Sequence, residues 1–197
     1  MEGRRVISQL RTVANQLTLL RLIFVPFVII NVLDQNYGWA LLLFVLAGIS
    51  DALDGVLARW LKQQTLLGQY LDPIADKLLL SSLFLVLSFM HDVPWKFTVI
   101  VFSRDISILA ISAVLYATTE LRNFSPSIFG KMNTVAQVGT VFVVLLGHVV
   151  ESREIAMLKA LGLWLTCAFT ILSALHYIVL VNQRLRALSE AKTASVP

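Results

Sequence analysis

Long apolar runs alternate with short polar turns along almost the whole of this chain. A helix that spans a bilayer needs roughly 20 predominantly apolar residues, because the hydrocarbon core is about 30 Å thick. Six runs approach or exceed this length, at about residues 16–33, 39–60, 68–90, 95–117, 128–150 and 156–182. The pattern therefore predicts an all-α integral membrane protein with six transmembrane helices.

The two ends of the chain differ from the apolar middle. Residues 3–14 place Arg4, Arg5 and Arg11 among apolar residues, which predicts an amphipathic helix lying at the membrane interface. Residues 183–197 form a basic tail that we expect to be frayed. We therefore expect one membrane domain over residues 1–197, with its six-helix bundle at 16–182.

Composition supports the same class. Of the 197 residues, 57% are hydrophobic and only 14% are charged, whereas a soluble domain has about a quarter of its residues charged. The chain shows no nucleic-acid-binding module, so we expect membrane lipids, rather than nucleic acid, to be the partners of its basic residues.

Lysine and arginine fall mainly on one side of the predicted bundle. Six spans place both termini on the same side, and only Lys96, Arg153 and Lys159 lie in the segments of the opposite side. Positively charged segments normally face the cytoplasm. The bias predicts cytoplasmic termini and a cytoplasmic position for the facing ends of spans two and three. If the source is bacterial, the membrane is expected to be the inner membrane.

Four aspartates lie at those facing ends. Asp51 and Asp54 are three residues apart on span two, and Asp72 and Asp76 are four apart on span three, so each pair shares a helix face. A short connection makes the two spans an antiparallel hairpin whose mouth brings the carboxylates together. Because like charges this close raise one another's pKa, a bound cation is favoured. Hard oxygen ligands suit Mg²⁺ or Mn²⁺, and four carboxylates are enough for two ions.

The residues around the aspartates suit a phosphate-containing ligand. Gly55 and Ala58 leave room beside Asp54, Arg59 can donate a fork of hydrogen bonds to a phosphate, and Gly68 allows close approach of a nucleotide. Two metal ions can hold both sides of an in-line displacement at phosphorus. The alternative is that the aspartates form structural salt bridges, with partners among the cations Arg59, Lys62 and Lys77.

At this point the sequence resembles a known family. The CDP-alcohol phosphatidyltransferases share a signature of eight residues, which is similar at every position to Asp51-x₂-Asp54-Gly55-x₂-Ala58-Arg59-x₈-Gly68-x₃-Asp72-x₃-Asp76. The resemblance implies transfer of a phosphatidyl group from CDP-diacylglycerol to an alcohol, with release of CMP. It also implies a six-helix bundle with a polar cavity open to the cytoplasm, and a homodimer.

The resemblance implies a role for each signature residue. Asp51, Asp54 and Asp72 would be ligands of two divalent ions, Mg²⁺ or Mn²⁺. Asp76 would be both a metal ligand and the general base that deprotonates the acceptor hydroxyl. The residues expected to line the CDP site are Gly55, Ala58, Arg59 and Gly68.

Two basic residues outside the signature are expected to hold a phosphate of the acceptor. Arg104 lies within span four, where an arginine is costly unless it faces a polar cavity, and Lys131 lies at the cytoplasmic mouth of span five. The alternative for Arg104 is a structural pair with Asp105 or another buried acid. The alternative for Lys131 is ordinary snorkelling at the interface.

Residues of spans four and five also indicate the identity of the acceptor, by resemblance. Arg104-Asp105 and Lys131-x-Asn133-Thr134-x₂-Gln137 are more similar to the CMP-forming cardiolipin synthases than to phosphatidylglycerophosphate synthases. The latter usually show Arg-Glu and Lys-x-Lys-Thr. The resemblance therefore implies phosphatidylglycerol, whose phosphodiester carries less charge than glycerol 3-phosphate. Glycerol 3-phosphate remains the alternative acceptor.

Two other classes of protein fit the sequence less well. A small cation-coupled transporter would carry acids along a path across the bilayer, often in repeated halves. Here the four aspartates cluster at one face and no internal repeat is visible. A purely structural membrane protein leaves the four aspartates unexplained.

Overall fold

The computed structural model describes the backbone of residues 13–60, 66–118 and 128–194, and the side chains of residues 20–53, 77–108, 110 and 128–183. This part of the chain is entirely helical. Its six helices are α1 (Val13–Leu33), α2 (Tyr37–Trp60), α3 (Leu66–Phe89), α4 (Trp95–Thr118), α5 (Ile128–Val149) and α6 (Arg153–Ala194).

The six predicted helices are confirmed, with ends that lie within about three residues of the sequence-based bounds except at the end of α6. Most of the predicted interfacial helix at 3–14 lies outside the described residues. The expectation of a frayed tail from residue 183 is wrong as far as Ala194, because α6 continues to that residue. Neither proline nor glycine occurs between Gly162 and Ala194, so no residue in that stretch interrupts the helix.

Two of the helical stretches are long and apolar enough to cross a membrane, Ile128–Val149 and Arg153–Gln183. Three shorter apolar stretches, Leu20–Leu33, Tyr37–Leu53 and Lys77–Phe89, each border residues whose side chains lie outside the description. Large apolar side chains are exposed on every helix, as shown by Ile23, Trp39, Phe89, Val99, Val135 and Trp164. Apolar surface of this extent indicates contact with lipid rather than water.

Packing brings α1 against both α2 and α3, and α5 against both α6 and α2, while α4 packs against α6. The buried apolar core lies between these helices. Its members include Val28, Ala47, Phe84, Val141 and Leu163. Polar side chains share this interior, among them the completely buried Asn133 and Gln137. Buried polar groups therefore lie among the apolar core, while large apolar side chains are also exposed on the outside, as a lipid solvent favours.

A polar cluster joins the turns at one end of the bundle. Tyr37 Oη donates a hydrogen bond to Asp92 Oδ2 (3.2 Å), and His148 Nε2 lies 2.7 Å from Asp92 Oδ1. The rings of Tyr37 and His148 stack with their centroids 3.7 Å apart. The start of α2, the α3–α4 turn and the end of α5 therefore lie at one level. The signature aspartates follow at the other ends of α2 and α3.

Helices α5 and α6 approach each other closely at Gly162. A Cβ atom at this position would lie 2.9 Å from Thr140 Oγ1 and 3.5 Å from Thr140 Cα. Thr140 Oγ1 donates to the Ala136 carbonyl (2.8 Å) and lies 2.9 Å from Thr166 Oγ1. Because these hydrogen bonds hold the Thr140 side chain, we infer that it has little freedom to move away.

We predict that Gly162→Ala lowers the free energy of unfolding by about 1 kcal/mol. Overpacking typically costs about 1–3 kcal/mol, and the better helix propensity of alanine offsets about 1 kcal/mol of that loss. Gly139→Ala is the matched control, because nothing lies within 4 Å of a Cβ at that helical position. Thermal unfolding in detergent should show a lower midpoint for Gly162→Ala alone. Equal midpoints for the two variants would contradict the close approach.

Candidate active site

The first signature aspartate forms an ion pair with helix α1. Asp51 Oδ1 contacts the guanidinium of Arg21, a side chain that is only 1% exposed. The Asp51 side chain is 50% exposed, so its carboxylate remains accessible to an ion. A half-exposed carboxylate is a hard oxygen donor of the kind that Mg²⁺ and Mn²⁺ prefer. Asp51 therefore fits the predicted metal site, and α1 contributes to its position.

The other signature residues are placed by backbone alone. Asp54 follows Asp51 by three residues on α2, and Asp72 and Asp76 are four residues apart on α3. The side chains of these three, with those of Gly55, Ala58, Arg59 and Gly68, lie outside the described residues. No group of three acidic, histidine or cysteine ligands occurs among the side chains that the structure describes. Convergence of the four carboxylates thus stays a prediction.

Immediately after Asp76, α3 presents a lysine that binds α4. Lys77 Nζ donates to both carboxylate oxygens of Asp105, at 2.9 and 3.0 Å. The same carboxylate accepts a hydrogen bond from Arg104 Nη1 at 2.7 Å. Lys77 therefore joins α3 to α4 through Asp105, and the salt-bridge alternative for Asp54, Asp72 and Asp76 lies outside the described side chains.

Arg104 links α4 to α6. Its Nη2 donates to Ser173 Oγ at 2.5 Å, and its side chain is buried. The structural alternative from the sequence, a pair with Asp105, is therefore present. The pair does not neutralise the region, because Lys77 binds the same carboxylate. The three residues together carry a net charge of +1. Arg104 Nε has no hydrogen-bond partner among the described residues.

The second basic residue proposed for the acceptor is Lys131. Lys131 is exposed near the start of α5. Within the described residues, no ion pair or hydrogen bond joins it to Arg104. Its exposure agrees with the snorkelling alternative, whereas an acceptor role for Lys131 stays a prediction.

Polar side chains of α5 and α6 meet beside Arg104. Thr170 Oγ1 donates to Asn133 Oδ1 at 2.7 Å. Asn133 Nδ2 and both amide atoms of Gln137 are buried with no partner in the described part of the chain. Buried polar atoms normally have a partner, and these three atoms have none among the described residues.

Sequence reasoning missed the contribution of α6. Thr166, Thr170 and Ser173 are all buried and follow helical spacing, at i, i+4 and i+7. That spacing is the only signal that could have identified them. It is weak, because hydroxyl side chains in a spanning helix can also satisfy their own backbone, as Thr170 does with the Thr166 carbonyl (2.7 Å).

Comparison with known proteins gives a consistent result. Residues 11–172 match the model of the CDP-alcohol phosphatidyltransferase family. The chain is 32% identical to the cardiolipin synthase (CMP-forming) of Rattus norvegicus over 81% of this chain and 57% of that protein. It is 29% identical to the CDP-diacylglycerol–glycerol-3-phosphate 3-phosphatidyltransferase of Bacillus subtilis over 83% of this chain and 91% of that protein.

A third relative is the probable phosphatidylglycerophosphate synthase of Mycobacterium tuberculosis (strain H37Rv). It is 35% identical over 66% of this chain and 64% of that protein. The chain spans less than two thirds of the length of the animal cardiolipin synthases that it matches, from 57% to 60%. Relatives of two named specificities are therefore similar to this chain.

We predict that Asp105→Asn lowers the free energy of unfolding by about 3 kcal/mol, because it leaves two cations without their shared carboxylate. The double variant Asp105→Asn/Lys77→Met should recover part of this loss, since one of the two uncompensated charges is then removed. Chemical or thermal unfolding in detergent measures both. A double variant no more stable than the single one would contradict the shared ion pair.

Proposed function

The chain belongs to the CDP-alcohol phosphatidyltransferase family, and on this basis we propose that it makes anionic phospholipids. The reaction is transfer of a phosphatidyl group from CDP-diacylglycerol to a hydroxyl of a glycerol-type acceptor, with release of CMP. The observation that carries the proposal is the complete aspartate signature on α2 and α3. The half-exposed Asp51 carboxylate, contacted by buried Arg21, supports it.

Each signature residue has its own role in this reaction. Asp76 accepts the proton of the acceptor hydroxyl as that oxygen attacks the phosphorus bearing diacylglycerol. The phosphorus–oxygen bond to CMP then breaks, and CMP leaves. Arg59 donates hydrogen bonds to the diphosphate, while the small residues Gly55, Ala58 and Gly68 leave space for CDP.

The family is generally dependent on divalent metal ions. Asp51, Asp54, Asp72 and Asp76 would hold two of them, Mg²⁺ or Mn²⁺. Bound there, such ions would supply positive charge to neutralise the diphosphate and stabilise departing CMP. The carboxylates suit these ions because hard cations prefer oxygen ligands.

We propose phosphatidylglycerol as the acceptor, which makes the protein a CMP-forming cardiolipin synthase. Asn133 is buried and uncharged at the position where the glycerol-3-phosphate enzymes usually carry a lysine. The net charge of +1 on Lys77, Asp105 and Arg104 suits a phosphodiester, which carries one negative charge. Glycerol 3-phosphate is the second candidate, because it is named in the Bacillus subtilis relative.

We propose six membrane spans in one domain, a cytoplasmic active site and cytoplasmic termini. Exposed apolar side chains on all six helices support the number of spans. The concentration of lysine and arginine on one side supports the orientation. The family resemblance supports a homodimer.

We predict that Asp76→Asn lowers the rate of CMP release by about 10²–10⁴-fold, which is the usual contribution of a positioned base. The assay uses purified protein, CDP-diacylglycerol, phosphatidylglycerol and Mn²⁺ or Mg²⁺. Asp34→Asn is the control, because Asp34 is exposed in the α1–α2 turn at the opposite end of α2 from the signature. Chelation of the metal should abolish release by the wild-type protein. Normal turnover by a folded Asp76→Asn variant would show that Asp76 is not the base.

The acceptor is tested by offering phosphatidylglycerol and glycerol 3-phosphate in separate reactions and identifying the lipid product. We expect cardiolipin from the first reaction and little product from the second. Turnover with glycerol 3-phosphate alone would reject phosphatidylglycerol and establish the second candidate. If neither acceptor supports CMP release, the proposal of a glycerol-type acceptor is rejected.

A further inference from the structure

A groove of about 400 Å³ separates α4 from α6 on the apolar surface of the bundle. Its walls are mainly aliphatic and include Ile100 and Ile108 of α4 and Leu175 and Ile178 of α6. Ile100 and Ile108 are eight residues apart, which corresponds to about 12 Å of helix. Leu175 and Ile178 are both more than half exposed, so the groove is open to the surroundings of the bundle.

The floor of the groove is polar and charged. Arg104 and Thr170 line it together with the aliphatic walls. Arg104 is 9% exposed, and its Nε has no partner in the part of the chain that the structure describes. Thr170 connects the floor to Asn133, whose Nδ2 is equally without a described partner. A buried cation with a free donor at the base of an apolar groove suits an anion that carries a hydrocarbon chain.

The floor is also connected to the predicted catalytic base. Arg104 shares Asp105 with Lys77, the residue that directly follows Asp76 on α3. One ion pair therefore links the groove to the helix that carries Asp76.

We infer that the α4–α6 groove admits the acceptor as an intact phospholipid from the bilayer. Arg104 receives the phosphodiester, and an acyl chain lies against Ile100 and Ile171, on the side of Arg104 that faces away from the cytoplasmic ends of α4 and α6. This inference rests on the proposed transferase function and adds the route by which the lipid acceptor reaches the site. A free phosphorylated alcohol is a poorer fit, because it has nothing to place against the aliphatic walls.

The variant Leu175→Trp fills the groove, and Leu172→Trp is its matched control. Both leucines are about half exposed on α6, but Leu172 does not line the groove. The acceptors are dioleoyl phosphatidylglycerol and its deacylated headgroup, glycerophosphoglycerol. We expect Leu175→Trp to raise KM for the diacyl acceptor about tenfold, as expected for loss of a few buried methylene contacts. KM for glycerophosphoglycerol and for CDP-diacylglycerol should stay unchanged, and Leu172→Trp should behave as wild type.

Two outcomes of the kinetic assay would overturn the inference. A higher KM for CDP-diacylglycerol with an unchanged KM for phosphatidylglycerol would assign the groove to the donor lipid. Unchanged KM values for both lipids would show that the groove holds neither substrate.

A binding measurement separates this inference from the transferase proposal. Phosphatidylglycerol added to wild-type protein without CDP-diacylglycerol should raise the thermal midpoint above that with phosphatidylcholine, and Leu175→Trp should remove the difference. If wild-type protein releases no CMP but shows this shift, the proposed reaction fails while the lipid groove stands. If it releases CMP but shows no shift, the groove is rejected and the reaction stands.

Discussion

The carboxylate of Asp105 accepts hydrogen bonds from two cations, and the inner polar structure of the bundle depends on this shared ion pair. Lys77 brings α3 to it, and Arg104 continues the connection to Ser173 of α6. In a low-dielectric interior such a carboxylate is costly to remove, because two charges would lose their counterion. The excess positive charge that remains among these residues is what makes the region suited to an anionic substrate.

A second constraint follows from the solvent. Lipid rewards apolar side chains on the outside, so the residues with chemical function must be collected between the helices. Arg21, Arg104, Asn133 and Gln137 are all buried, while large apolar side chains are exposed around them. The aspartate of α2 and the arginine of α4 thus both depend on neighbouring helices for their position.

Sequence and structure give different information about the proposed acceptor site. By resemblance, the sequence indicates Arg104, Asp105 and Asn133 as residues of that site. The structure shows that Arg104 is engaged with Asp105 and yet keeps a buried donor without a described partner. It also opens an aliphatic groove at that donor. Together these features favour a lipid acceptor over a small phosphorylated alcohol.

The sequence by itself determined the helices and the spacing of the aspartates, because apolar run length and i, i+3 or i+4 spacing are local properties of the chain. The sequence left two interpretations of Arg104, as a ligand of the acceptor phosphate or as a structural partner of Asp105. It did not indicate the hydrogen bond from Arg104 to Ser173, which lies 69 residues away. Tertiary structure alone decided these contacts. The rotation of each helix about its axis is determined by packing against its neighbours, and in α6 a buried hydroxyl has the same local pattern as one that faces lipid. The groove likewise exists only where α4 and α6 meet.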